Sequence, residues 1–280
     1  MIKSPDTEII LKNLKIFRDI PIINDLFLIM GAGKFGRIAF NYAIKHGYST
    51  IIIIDENFNA VNDIQVEKIE DRKEFLQIYK KIIKQSFEKS VNQDQKTYFI
   101  QGGLDLLSLL FSFGIPELFI PVVPVHIMGK LVLNYLNVYF NGKKILKTHV
   151  ENEYYSKIVK KIPLEVLLTA ERSNGLITLS YAKIDEICPS NCIGEEEYCK
   201  FFKRNKPKTI TKIIRNLSKT GKKGWVIESH QIQKGLGALY GVEIKKNITN
   251  ILTMSNELRL FFVGTSCSCH GAINLFSSVI

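Results

Sequence analysis

Two groups of residues in this chain have types and spacing suited to chemistry. The first is Gly31, Gly33 and Gly36, in G-x-G-x-x-G spacing. An apolar run, Leu26 to Met30, comes directly before it, and a second apolar run further on ends in Asp55. Between a strand and a helix, such a turn suits a dinucleotide: Gly31 allows the tight bend, Gly33 lets a pyrophosphate approach the backbone, and Gly36 lets the helix pack on its strand. The helix N-terminus then offers unpaired N–H groups and a partial positive charge to the phosphates. Asp55 would accept hydrogen bonds from the adenosine ribose. The candidate cofactor-binding residues are therefore Gly31, Ala32, Gly33, Lys34, Phe35, Gly36 and Asp55. An acid at position 55 repels a 2′-phosphate and so favours NAD, while Arg37 and Lys34 keep NADP open.

The second group is thiol-rich. All five cysteines lie in the second half: Cys188, Cys192 and Cys199 in C-x3-C-x6-C spacing, then Cys267 and Cys269 in C-x-C with His270 alongside. A chain of 280 residues has core enough to fold without disulfides. Grouped cysteines then read as metal ligands. Thiolates suit an iron–sulfur cluster and zinc alike. Neither group has the C-x2-C spacing usual in zinc knuckles, and Pro189 directly after Cys188 is a feature met near iron–sulfur ligands. A catalytic dithiol, or buried cysteines without a metal, are the other readings.

The segment GAGKFGRIAFNYAIKHGYSTIIIIDEN resembles the first βαβ unit of Rossmann NAD(P)-binding domains, especially the TrkA-N/RCK type that gates potassium transport and the related dehydrogenases. The likeness covers about residues 26 to 60 and continues more weakly to about 140. It implies cofactor binding in the first half and no particular reaction. The resemblance does not extend to the second half.

These residues need elements to position them. A helix is expected near residues 6 to 17, strands at Leu26 to Met30 and up to Asp55, and a third at Ile64 to Ile69. An amphipathic helix follows from Asp71 to Ser90. Thr97 to Ile100 reads as a strand leading into Gly102 and Gly103, which would reach the cofactor crevice because ligands gather at the carboxyl ends of parallel strands. Leu104 to Phe113 reads as a buried helix and Leu118 to Val123 as a strand. That strand delivers His126 to the same edge, where it could exchange a proton beside the nicotinamide. Gly129 to Phe140 should be helical. Asn141, Gly142 and the lysine-rich run after them mark the expected boundary between residues 1–145 and 146–280.

In the second half, Leu176 to Ala182, Trp225 to Ser229 and Leu258 to Val263 read as strands, with helices at Thr209 to Leu217 and Val242 to Met254. If the first and last of these strands run parallel, both cysteine groups fall at one sheet edge, with His230 between them as a second candidate for proton transfer. The fold class expected is α/β: a Rossmann-like parallel sheet, then a second α/β domain or sheet extension carrying a cysteine-rich metal site. Asp105 and Asp185 read as helix caps or solvated carboxylates.

Composition bounds the function. A hydrophobic content of 46% and a charged content of 23% belong to a globular chain. Asp6 and Glu8 interrupt the start, so a signal peptide is not expected. Asp105, Pro116, Glu117, Pro121, Pro124, His126 and Lys130 break the greasiest region, so neither is membrane insertion. A cytoplasmic protein fits these features. The net charge is +11, concentrated between Lys200 and Lys223, where Phe201, Phe202 and Trp225 give the look of a nucleic-acid surface. Lysine is abundant throughout, so a solvated basic face is the plainer reading. The expected partners are a dinucleotide and a small, anionic molecule, with self-association left open. Together the two sites suggest an NAD(P)-dependent oxidoreductase with an iron–sulfur or zinc centre. The alternative is a non-catalytic, nucleotide- and metal-sensing module of RCK-like type.

Overall fold

The computed structural model describes residues 5–88, 94–140, 145–147, 150–218 and 223–279. It is a mixed α/β protein made of two compact units, Met1–Ile127 with Ala238–Lys246, and Met128–Gly237 with Asn247–Ile280. The division thus falls earlier than residue 145, and a later segment returns to the first unit.

The first unit begins with α1 (Pro5–Leu14), β1 (Ile22–Met30), α2 (Lys34–Lys45), β2 (Thr50–Asp55) and β3 (Glu67–Ile69). It continues with α3 (Arg72–Gln85), β4 (Lys96–Gln101), α4 (Leu104–Phe113) and β5 (Ile115–Pro121). The last five residues of β1 and the isoleucines of β2 are all buried. Such continuous apolar runs belong to parallel strands covered on both faces. Helix α2 buries Gly36, Ala39, Phe40 and Ala43, the stripe that 3.6-residue periodicity puts on one side. Asp71 caps α3 by accepting from the Glu74 amide at 2.8 Å. Within α4, Ser108 and Ser112 donate to their own helix's carbonyls and so are buried without loss.

The strands run β5, β1, β2, β4, β3 across a large parallel sheet. With β1 between β2 and β5, the chain passes to opposite sides at β1. Ligands bind at such switch points, outside the carboxyl ends of the strands.

The second unit takes up α5 (Ile127–Phe140), β6 (Ile145–Lys147), α6 (Asn152–Val159), β7 (Leu167–Glu171) and β8 (Leu176–Ser180). Next come a small hairpin of β9 (Tyr198–Cys199) and β10 (Arg204–Asn205), then α7 (Ile210–Ser218), β11 (Lys223–Glu228) and β12 (His230–Gln233). The chain ends through β13 (Leu236–Tyr240), α8 (Gly241–Thr253), β14 (Leu260–Ser266) and β15 (His270–Val279). The end of β13 belongs to the first unit, where Leu239 and Tyr240 pair antiparallel with Phe119 and Leu118.

The second unit's sheet runs β11, β14, β15, β8, β7, with β6 also on β15. Among the described residues, only β11 and β14 of this sheet pair in parallel; its other described pairings are antiparallel. Strand β15, absent from the sequence expectation, makes the difference. Because β8 and β14 both oppose β15, they point the same way, and so does β11. The carboxyl ends of all three strands therefore meet at one edge, the condition under which both cysteine groups fall together. Helix α7 covers the sheet with Ile210, Ile213, Ile214 and Leu217, which share a core with Phe262, Ile273 and Leu275. Gly271 permits that approach, since a Cβ there would lie 2.8 Å from the Ile210 side chain.

Candidate functional site

The glycine turn joins β1 to α2. Gly31 sits at φ +104°, and a Cβ on it would meet the Val122 carbonyl oxygen at 2.8 Å. Gly36 lies so close to the turn that a Cβ would collide with the Gly31 carbonyl. Gly102 and Gly103 follow β4, and side chains there would press on Leu106 and on the Glu56 carboxylate. Gly31 and Gly36, where a Cβ would press on backbone, answer a demand of the fold itself. Gly33 does not: its φ is −68° and nothing lies within 4 Å of the Cβ position. Lys34 and Phe35 open the first turn of α2 and are exposed.

Asp55 has a task within the fold. Its carboxylate accepts from the Ala32 amide at 2.7 Å and the Asn57 amide at 2.8 Å. That ties the end of β2 to the turn. Each oxygen keeps further acceptor capacity. Arg37 donates to the Ala32 carbonyl at 3.0 Å and the Ala60 carbonyl at 2.6 Å, and pairs with Asp63. It is a strut of the turn. His126 lies just beyond β5 at the same carboxyl edge, half-buried.

The second candidate begins with the turn from Cys267 to His270, closed by the Cys267 amide donating to the His270 carbonyl at 2.9 Å. Its three inner carbonyls all accept hydrogen bonds. Thr211 Oγ1 reaches Cys267 O at 3.2 Å, the Ile210 amide reaches Ser268 O at 3.0 Å, and the Tyr181 amide reaches Cys269 O at 3.1 Å. The segment after β8 is anchored by Arg204, which donates to Tyr181 O at 2.7 Å and Glu186 Oε2 at 2.6 Å. Gln231 Nε2 and the Gly235 amide both donate to the Cys192 carbonyl, at 2.6 Å and 2.8 Å. These bonds fix the cysteine-bearing loops beside the turn.

A cavity of about 300 Å³ results, lined among others by Cys192, Cys199, Cys269, Lys206, Tyr198 and Phe201. Each of its sulfurs accepts a hydrogen bond. Gly194 N–H reaches Cys192 Sγ at 3.4 Å, Phe202 N–H reaches Cys199 Sγ at 3.4 Å, and Lys206 Nζ reaches Cys269 Sγ at 3.1 Å. Cys188 and Cys267 stand apart on the two ring nitrogens of His270, at 3.5 Å from Nε2 and 3.8 Å from Nδ1. Burial pushes the Cys269 thiol up, against the pull of the Lys206 ammonium. Among the described residues, no group of three or more His, Cys, Asp or Glu side chains is placed to hold a metal ion.

Sequence reasoning brought the two cysteine groups together but missed Lys206, Gln231 and the two aromatic rings. Lys206 was hidden in the basic stretch, yet it is 3% exposed. That stretch is largely paired: Lys200 with Glu195, Arg204 with Glu186, Lys212 with Glu196, Arg215 with Glu228 and Lys223 with Glu257. Lys219 and Lys222 lie outside the described residues. Asp105 pairs with Arg72 at 2.7 Å. His230 opens β12, half-buried, and is not one of the residues lining the cavity. No described helix is long and apolar enough to cross a membrane.

Fold and sites thus define a two-unit α/β protein, with a large, mostly parallel sheet in the first unit and, in the second, a mostly antiparallel sheet with a cysteine-lined cavity. Residues 129–279 match a family model described as "Uncharacterized protein, C-terminal domain" (AF_1314_C), and residues 26–127 match "Uncharacterized protein, N-terminal domain" (AF_1314_N). The first of these alone spans more than half of the chain, which belongs to this family. Neither model is described as a Rossmann or RCK domain. No curated protein and no solved structure matches the chain.

Proposed function

We propose that the first unit is a Rossmann-like domain that binds a dinucleotide, NAD(H) ahead of NADP(H), and that the protein is an oxidoreductase whose second centre is its cysteine group, carrying an iron–sulfur cluster or zinc. The observation that carries the nucleotide reading is Gly33. Nothing stands within 4 Å of its Cβ position at the N-cap of α2, so the bare backbone leaves room there for a group from outside the chain. A pyrophosphate there would meet the first-turn amides of α2, which lack helical partners. Asp55 and Arg37 would hold the turn in shape, and the spare acceptor capacity of Asp55 would serve the ribose. The nicotinamide would supply hydride chemistry; the chain's part is to bind and orient it. His126 and His230 remain the candidates for proton transfer, and a small, anionic substrate suits the net charge of +11.

Titration with NADH and with NADPH, followed by nicotinamide fluorescence, tests binding; ferricyanide as artificial acceptor then tests turnover. Saturable binding that favours NADH, with oxidation of NADH, is expected. NADH held without being oxidised would place the protein among nucleotide sensors, and no binding would end the reading altogether.

A further inference from the structure

We infer that the second unit's cavity binds a small monocarboxylate with an apolar body, its carboxylate seated on the Lys206 ammonium. The inference rests on the oxidoreductase reading for its purpose, since it names the class of that reading's small anionic molecule, but its geometry lies wholly within the second unit and uses no metal.

Three observations support it. First, Lys206 lines the cavity and is 3% exposed. A buried ammonium is costly unless negative charge or strong acceptors accompany it. Among the described residues no carboxylate pairs with it, and its side-chain partner is the sulfur of Cys269 at 3.1 Å. A thiol is a weak acceptor. Burial pushes this one up, so its sulfur does not supply the balancing charge.

Second, the other charges of the lining cancel. Lys200 and Glu195 both line the cavity and pair with each other, which leaves Lys206 as the uncompensated charge among its described lining residues. One positive charge calls for one negative charge; a monocarboxylate matches it, and a dianionic phosphate brings a charge too many. The sulfurs of Cys192 and Cys199 already accept from the Gly194 and Phe202 amides at 3.4 Å. What each thiol keeps to offer is its S–H, a weak donor suited to a ligand that accepts.

Third, the space fits a small molecule and is open to one. A volume of about 300 Å³ is at the lower end of the range for ligand pockets. Ile193, Tyr198 and Phe201 line the cavity yet stay exposed, so its apolar side opens to solvent and gives a ligand its way in. The bonds of Gln231 and Gly235 to the Cys192 carbonyl hold that wall in place before anything binds, which lowers the cost of binding. The cysteines serve here as thiols, so this occupant competes with a metal held at the same sulfurs.

Calorimetric titration of the full chain with butyrate and benzoate, with their neutral counterparts butyramide and benzamide, and with inorganic phosphate tests the assignment. Saturable binding of at least one carboxylate is expected, about tenfold or more tighter than its amide and than phosphate. Lys206→Met should weaken that binding about tenfold or more, and Cys188→Ala should leave it unchanged. If Lys206→Met does not fold by circular dichroism, the wild type locates the site: the bound carboxylate should slow iodoacetamide alkylation of Cys199 and not of Cys188. Neither carboxylate bound, an amide or phosphate bound as tightly, an unchanged affinity in folded Lys206→Met, or no protection of Cys199 would each overturn the assignment. So would zinc or iron that copurifies with the chain and is lost in Cys199→Ala. NADH titration of the same preparations separates the two readings. NADH bound without a carboxylate sinks the pocket alone, and a carboxylate bound without NADH sinks the nucleotide reading alone.

Discussion

The ammonium of Lys206 donates to the sulfur of Cys269 across 3.1 Å, from a side chain that is almost wholly buried. Burial opposes charge on either partner, and the contact works against that penalty for both. On Cys269 the two influences compete: burial pushes the thiol up, Lys206 pulls it down, and Cys267 and Cys192 push it up again. Lys206 is therefore a residue through which the environment of the Cys269 sulfur can be changed without touching that sulfur.

In the metal-free protein, Lys206→Met should slow alkylation of Cys269 at mildly alkaline pH, because the thiolate is the reactive form. A decrease of roughly threefold or more is expected, read by mass spectrometry of the Cys269 peptide against Cys188 as an internal control. An unchanged rate would show that the ammonium does not favour the thiolate.

Gly36→Ala should destabilise the first unit by about 1–3 kcal/mol, because the new methyl would press on the Gly31 carbonyl and the helix would have to move off its strand. Gly31→Ala should cost at least as much, since φ +104° disfavours any Cβ and the Val122 carbonyl stands 2.8 Å away. Thermal unfolding measures both; a melting point equal to wild type in either variant would contradict the packing.

Asp63 gives the turn a pH dependence of known sign. The hydrogen bond from Arg37 holds its carboxyl below the usual carboxylate range. A lowered folded pKa means stabilisation present above the ordinary aspartate range and lost as pH falls through the lowered value. Asp63→Asn should remove this component, so the variant and wild type should converge in strong acid and diverge above about pH 4. Curves that stay parallel across that range would argue that the pair contributes nothing.

Much of the first unit could be read from its residues, because each stretch answered one local demand. Leu26 to Met30 and the isoleucines of β2 are apolar without a break since both faces are covered, and Gly31 and Gly36 are glycine for reasons one spacing reveals. The second unit was harder. His270–Val279 mixes Gly271, Asn274, Ser277 and Ser278 with its core residues, so no clean alternation announced β15. Without it the antiparallel order could not be foreseen. The convergence of the cysteines was still legible, because it needed only that β8 and β14 point the same way. Lys206 was not legible: in a lysine-rich run, nothing local separates a buried lysine from its solvated neighbours.

Arg204 fixes the start of the cysteine-bearing segment through Tyr181 and Glu186. Arg204→Ala should therefore expose residues 183–200 to proteolysis, several-fold faster than wild type, while the core around α7 stays protected. Equal cleavage rates would mean the segment is held by other contacts.

Calorimetric titration with NADH of wild type and Gly33→Ala is the most direct measurement of the central claim. The added methyl meets nothing in the fold, so stability should change by less than about 1 kcal/mol. Binding should weaken about tenfold or more, the 1.4 kcal/mol that a crowded pyrophosphate would lose. An unchanged affinity in a folded Gly33→Ala protein, or no affinity in the wild type, would contradict the account.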